Sequence, residues 1–261
     1  MIHYAIIGGT GVDHFTLTEQ RVITVETPYG SVEPVVGKLA NRETVFMSRH
    51  GRGHATPPHL VNYRANIWAL RKLGVRKILA TAAVGSLSTN FRLGELVLLD
   101  QFLDFTKSRP PTFYEGGKQG VLHVDMTEPY CSAVRQVIMD ASKQLGFAVK
   151  NGACYVCTEG PRFETPAEIR MFQRLGADLV GMTSVPEVVL ARELGMCYAS
   201  IGMVTNEAAG IATHPLTHAE VMASMKKLGV KVAQLIQATF ELGTPAQNCL
   251  CASANGEVGK F

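Results

Sequence analysis

The 261-residue chain is 46% hydrophobic and 18% charged, with a formal net charge of +3, which suits one large folded core and leaves no clustered charge for a nucleic-acid or membrane footprint. No apolar run approaches the roughly 18 to 20 residues that span a bilayer, and the first residues lack a basic flank and cleavage site, so a cytoplasmic protein with small-molecule or subunit partners is expected. Six cysteines in a chain this long do not make a disulfide framework.

Taken in order, His3 to Ile7 forms a short apolar strand that runs into Gly8-Gly9-Thr10-Gly11, where amides either converge on an anion or close a tight turn. No Gly-Lys-Ser/Thr follows, as a P-loop needs. GxGxxG and a clear following helix are also missing, so the dinucleotide fingerprint fits poorly. Strands are predicted over Val22 to Glu26 and Val32 to Leu39, joined through Thr27-Pro28-Tyr29-Gly30. A further strand, Glu43 to Met47, leads into Ser48-Arg49-His50-Gly51. A guanidinium and an imidazole at the mouth of a glycine-rich loop suit a phosphate, although such clusters are often merely solvated.

Asn62 to Leu73 has helical spacing of Tyr63, Ile67, Leu70 and Leu73. The near-continuous apolar run Lys77 to Val84 predicts a strand buried on both faces, in the middle of a sheet. Leu96 to Asp100 reads as another strand, followed by a long loop to Gly120 that is too polar and broken for core; such loops serve a site or a subunit contact. Ala133 to Leu145 is an amphipathic helix stopped by Gly146, and Ala148 to Cys157 a strand. Alternation sends Cys154 and Cys157 to opposite faces, unlike a redox or zinc CxxC, so buried thiols are expected. Cys249 and Cys251 sit in a tail, where free thiols are favoured over a small disulfide ring.

From Thr158 to Thr183 the polar residues sort by helix-start grammar. Thr165-Pro166-Ala167-Glu168 is a capping box with proline at the first helical position, which occupies Glu168. Glu164 has no such task, and Phe163 beside it lies in a turn begun by Gly160-Pro161. An aromatic face with a carboxylate acceptor suits a flat, hydrogen-bonding heterocycle; the plainer alternative is a core phenylalanine and a solvated glutamate. Ser184-Val185-Pro186-Glu187 reads as a second capping box, on a helix ending near Gly195. The small-residue strand Cys197 to Val204 delivers Thr205-Asn206. A third box, Thr217-His218-Ala219-Glu220, opens a last helix with an apolar stripe through Val221, Met225, Leu228, Val232 and Leu235. The positive helix end disfavours protonation of His218. Alternating strands and helices give an α/β sandwich with a mixed sheet, one domain over residues 1–243 and a loose tail over 244–261.

Glu159-Gly160-Pro161-Arg162-Phe163-Glu164-Thr165, Gly176-Ala177-Asp178 and Gly181-Met182-Thr183-Ser184-Val185-Pro186-Glu187 resemble the core signature of trimeric purine nucleoside phosphorylases and methylthioadenosine phosphorylases, and the likeness extends from Tyr4 to about Gly243. The resemblance implies a single-domain three-layer α/β sandwich with a central mixed, partly barrel-like β-sheet flanked by helices, assembled as a homotrimer or a dimer of trimers. It implies phosphate as co-substrate and neither cofactor nor metal. By matching positions it assigns phosphate to Thr10, Arg49, His50, Ala83 and Thr183, the ribose hydroxyls to the Met182 backbone, and the base to Phe163, Glu164 and Asn206, with Asn206, Glu164 and His50 as the catalytic set. Ala82 replaces a threonine of the methylthioadenosine enzymes and so lacks a hydroxyl for phosphate. Ala208 and Asn206 stand where adenine-specific relatives carry aspartates, and Glu164 where they carry serine. Asn206 donating to N7 or O6 and Glu164 accepting N1–H match a 6-oxopurine. His218 matches a histidine that bonds the 5'-hydroxyl, and His123 a position that reaches a neighbouring subunit's site.

The reaction so implied is phosphorolysis of inosine and guanosine to the free base and ribose 1-phosphate. S-methyl-5'-thioinosine or methylthioadenosine phosphorolysis is the alternative. Further off stand a nucleotide-cofactor oxidoreductase built on the GGTG turn, with Glu26 as its ribose ligand, and a non-catalytic nucleoside-binding protein. No His/Cys set at zinc spacing and no GxSxG elbow appears in the sequence.

Overall fold

The computed structural model describes residues 2–9, 11–12, 15–211, 217–243, 249–254 and 256, without the side chains of Arg52 and residues 218–220. The first strand, β1 (Tyr4–Gly8), sends Ala5 and Ile7 into one buried cluster and Ile6 into another. A strand apolar on both faces needs cover on both, so it lies inside a sheet with helices on either side.

A ribbon of antiparallel strands follows: β2 (Thr18–Val22), the hairpin of β3 (Val25–Thr27) and β4 (Gly30–Val32), then β5 (Val35–Leu39) and β6 (Arg42–Ser48). The two strands predicted over 22–26 and 32–39 each break, at Ile23-Thr24 and at Glu33-Pro34, the second because a proline has no amide to give a ladder. Glu26 thereby falls in the separate β3–β4 hairpin. The GGTG turn leads to β2 and no helix intervenes among the described residues, which removes the context a dinucleotide site requires.

Next come α1 (Tyr63–Lys72), capped by Asn62 accepting from the Ala65 amide, and β7 (Lys77–Ser86), buried along nearly its whole length. Then follow β8 (Leu96–Leu98), β9 (Gln101–Phe105), α2 (Ser132–Leu145), β10 (Val149–Asn151) and β11 (Cys154–Thr158). The chain continues through α3 (Pro166–Arg174), β12 (Leu179–Gly181), α4 (Ser184–Glu193), β13 (Cys197–Glu207) and α5 (His218–Leu242). The main sheet runs β10-β8-β13-β7-β1-β6-β5-β2, with β12, β11 and β9 as a branch. The four strands β6, β1, β7 and β13 are mutually parallel, so their C-terminal ends lie together.

Helices α1 and α4 cover one face and α2 and α5 the other, giving three layers. The α5 stripe Val221, Met225, Leu228, Val232 and Leu235 is buried as its spacing predicts. β1 accompanies β7 only as far as Ala80, and on the side it leaves, β12 joins antiparallel at Gly85 and Ser86. This change of partner branches the mixed sheet around the end of β7 and leaves Ala82 to Val84 without a strand on that edge.

Three further expectations are corrected. The stretch after Asp100 is not all loop: Gln101–Phe105 pairs with β11, and Arg109 and Phe113 are buried. The predicted strand over 148–157 breaks at Gly152, giving β10 to one part of the sheet and β11 to another. The Ser184–Glu187 capping box does not form, for the Ser184 hydroxyl bonds the Tyr130 hydroxyl at 2.7 Å and Glu187 turns into the core. The Thr165–Glu168 box does form, with both reciprocal bonds. The third box depends on residues 218–220, whose side chains lie outside those described. Of the tail, residues 249–254 pack against the body with Cys251 buried; no described helix is long and apolar enough to cross a membrane.

Candidate active site

The shared C-terminal ends of the parallel strands are where an open α/β sheet places ligands, and a cavity of about 380 Å³ lies there. It is bounded by the loop after β6, the open edge of β7, the end of β13 and the two segments that follow β11 and β12.

Arg49 forms one end. Its side chain is 1% exposed, and Glu187, at 0%, holds it in a bidentate pair: Nε and Nη2 each donate to a carboxylate oxygen at 2.7 Å. Nη1 donates to the Thr81 carbonyl at 2.8 Å, and the Tyr198 hydroxyl donates to Glu187 at 2.6 Å. Burial works against the charge on Arg49, but the attraction and hydrogen bonds of Glu187 outweigh it and hold the guanidinium protonated well above its ordinary range. Among the described residues these bonds use three of the five N–H donors, leaving one on each Nη. Gly9 packs against this group so closely that a Cβ there would stand 2.5 Å from Nη1. Gly9, just past the end of β1, and Arg49 therefore share one corner.

His50, Ala83 and Thr183 line the same cavity. His50 is buried, with Nδ1 2.8 Å from the Thr56 carbonyl oxygen. A carbonyl only accepts, so Nδ1 carries a hydrogen in that bond. On β7 the Thr81 carbonyl faces Arg49 and the Val84 carbonyl faces Thr205 of β13; strand alternation then turns the Ala83 amide to the open edge. Thr183 precedes α4 without capping it, which leaves its hydroxyl for the cavity it lines. Its amide donates to the Tyr155 hydroxyl at 3.1 Å.

At the other end stand Glu164, Phe163 and Asn206. Glu164 is buried beside Thr158, whose hydroxyl donates to Oε1 at 2.5 Å. Burial raises the Glu164 carboxyl above the usual range, with the Thr158 hydroxyl acting in the opposite direction. Phe163 lies at the rim, 39% exposed. Asn206 follows a register shift in β13 that takes Thr205 out of the pairing, a bulge of the kind that re-aims side chains beside a site. The Thr205 hydroxyl donates to Asn206 Oδ1 at 2.8 Å and Nδ2 donates to the Glu207 carbonyl at 2.9 Å, which fixes the amide and leaves its second N–H for a ligand. Met182 and the buried Ala208 complete this wall.

Arg49, His50, Ala82, Ala83, Phe163, Glu164, Met182, Thr183, Asn206 and Ala208 thus line one cavity. Thr10 lies outside the described residues, as does the His218 side chain. His123 is exposed and does not line the cavity. Sequence reasoning misses the supports, because local grammar offers Glu187 a helix cap and places Arg109 in a loop too polar and broken for core. Arg109 in fact donates to the Val185 and Glu159 carbonyls, each at 2.7 Å, and to the Thr158 carbonyl at 3.2 Å. It thereby ties together the two segments that carry Glu164 and Thr183. Only the unusual demand of a buried arginine for several carbonyls reveals it, and that is a tertiary fact.

The chain matches the family described as the phosphorylase superfamily over residues 3–241. It is 54% identical to a probable 6-oxopurine nucleoside phosphorylase of Moorella thermoacetica, over 97% of this chain and 98% of that protein. It is 49% identical to a probable S-methyl-5'-thioinosine phosphorylase of Methanopyrus kandleri, over 97% and 98% of the two chains. Among solved structures, methylthioadenosine phosphorylase from Schistosoma mansoni in complex with adenine superposes with a TM-score of 0.88 at 36% identity, covering 93% of this chain and 91% of that one.

Proposed function

Because this chain belongs to the phosphorylase superfamily, we propose that it is a purine nucleoside phosphorylase, an enzyme that converts 6-oxopurine ribonucleosides and phosphate to the free base and ribose 1-phosphate. The observation that carries this reading is the polarity of the cavity. A buried arginine, an imidazole, a strand-edge amide and a threonine hydroxyl occupy one end, and a carboxylate with a fixed amide donor the other.

Phosphorolysis needs little more. The C1'–N9 bond breaks, its electron pair leaves with the purine, and a phosphate oxygen bonds to C1' of the oxocarbenium-like sugar. Arg49, His50, the Ala83 amide, Thr10 and Thr183 hold the phosphate, with the positive guanidinium placing it. The Met182 backbone meets the ribose hydroxyls. Asn206 donates to N7 or O6, where charge accumulates as the base departs, so its bond strengthens toward the transition state. Glu164 accepts N1–H, a hydrogen that hypoxanthine and guanine have and adenine lacks. Phe163 covers the base. The reaction uses phosphate as co-substrate and no cofactor.

A second reading, S-methyl-5'-thioinosine phosphorolysis, keeps the base and phosphate assignments and differs only at the 5' substituent. It is favoured by the apolar cavity-lining Val221 in the first turns of α5; His218, one turn earlier, favours a hydroxyl. We assign the enzyme to the cytoplasm as a homotrimer or dimer of trimers, in which His123 reaches a neighbouring subunit's site and the half-exposed Phe163 gains cover.

The test is a panel of inosine, guanosine, adenosine, methylthioinosine and methylthioadenosine with saturating phosphate. Inosine or guanosine should exceed adenosine in kcat/KM by on the order of 10⁴, the scale on which unmatched buried polar groups discriminate. Methylthioadenosine as best substrate would overturn the base assignment; methylthioinosine as best would overturn only that of His218.

A further inference from the structure

Four cysteines that take no part in this chemistry converge far from the cavity. Cys197 begins β13, nine residues before Asn206, a distance of roughly 30 Å along a strand. Its sulfur meets those of Cys131, at the start of α2, and of Cys249 and Cys251 in the C-terminal segment; all four Sγ atoms lie within 4.8 Å of one another. The sulfurs of Cys197 and Cys249 are 3.4 Å apart. A tetrahedral zinc–thiolate centre, with bonds of about 2.3 Å, sets its sulfurs about 3.8 Å apart, a value between these two distances.

The surroundings fit the charge of such a centre. Three of the thiols are buried and the fourth half-buried. Four thiolates around Zn²⁺ leave two net negative charges, and the buried Arg192 guanidinium lies against them, with Nη1 3.5 Å from Cys251 Sγ. Its other donors are fixed on the Asp125 carbonyl at 2.9 and 3.2 Å. Arginine placed in this way both neutralises a thiolate and orients it. In the C-terminal segment Leu250 is 81% exposed while Cys251 is buried, so the backbone there turns its one large apolar side chain to solvent and directs sulfur inward.

We propose that Cys131, Cys197, Cys249 and Cys251 bind one Zn²⁺ as thiolates, in a closed structural site that fastens the C-terminal segment to the starts of α2 and β13. Binding releases the thiol protons to solvent and changes no oxidation state. Four protein ligands leave no open position, so the site stabilises the fold and performs no catalysis. The sequence conceals it because its ligands come from three segments tens of residues apart and share no CxxC spacing.

The full-length protein, produced with zinc in the medium and purified with a reductant, should contain one zinc per chain by elemental analysis. Exchange to Co²⁺ should give the visible ligand-field bands of tetrahedral thiolate coordination. Cys249→Ser with Cys251→Ser should lose the metal and those bands and lower the melting temperature, while inosine phosphorolysis at room temperature stays within about twofold. Wild-type protein with four reactive thiols and no zinc would overturn the proposal, as would disulfides among these cysteines after thiol trapping in the cell. Zinc retained at the same stoichiometry by the double variant would overturn it too, by placing the metal elsewhere.

Discussion

Replacing Arg49 separates its buried ion pair with Glu187 from the phosphate binding proposed for the same side chain. On the sequence, Arg49 sits at a glycine-rich loop, where truncation should leave the fold intact. The structure reverses that expectation, because Arg49 and Glu187 form a fully buried bidentate pair. Arg49→Met leaves Glu187 as a buried charge with only the Tyr198 hydroxyl beside it, a loss of about 3–5 kcal/mol. At about 2–4 °C per kcal/mol for a domain of this size, the melting temperature should fall by about 6–20 °C. Adding Glu187→Gln removes the stranded charge and keeps an acceptor for Tyr198, so most of that loss should return. Phosphate binding should not return with it. The two Nη–H donors left for phosphate contribute about 1.5–3 kcal/mol each as charge-assisted bonds, and their loss should lower kcat/KM for phosphate by roughly 10²–10⁴ in both variants. Thermal unfolding and inosine phosphorolysis at varied phosphate measure the two effects. A double variant that regains stability and also keeps normal phosphate kinetics would reduce Arg49 to a core ion pair.

Asn206→Ala should lower kcat by on the order of 10², the scale of other oxyanion donors, with a smaller change in KM; equal losses in ground-state binding and turnover would place base activation elsewhere. For Glu164, burial raises the carboxyl, so its N1–H-accepting form is lost at a higher pH than for an ordinary glutamate. As pH falls through that value, inosine kcat/KM should decline while adenosine, whose N1 accepts from a protonated carboxyl, declines less; an inosine-to-adenosine ratio independent of pH would exclude Glu164 from base selection. His218→Val should narrow the gap between inosine and methylthioinosine by roughly 1–3 kcal/mol, read from the two kcat/KM values.

What is legible in the sequence is what local periodicity encodes. β7 is apolar at nearly every position and proves central; α5 carries a clean stripe, and the Thr165–Glu168 box forms with both its bonds. Glu164 stands out because the neighbouring Glu168 already has a capping partner; Glu168 does cap α3, and Glu164 lies buried against Thr158 where it lines the cavity. Arrangements set by distant partners are not legible. Gln101–Phe105 becomes a strand because β11 offers it an edge, while its own residues alternate weakly. Ser184 and Glu187 satisfy the grammar of a capping box, yet Tyr130, Arg49 and Tyr198 provide stronger partners for the same atoms. Arg109, buried against three carbonyls, belongs to this class, as do the four converging thiols.

Incubation of inosine with the purified protein, with and without inorganic phosphate, tests the central claim most directly. Hypoxanthine should form only when phosphate is present, with an equal amount of ribose 1-phosphate. Hypoxanthine released at the same rate without phosphate, accompanied by free ribose, would show that water is the nucleophile and contradict the phosphate site built around Arg49.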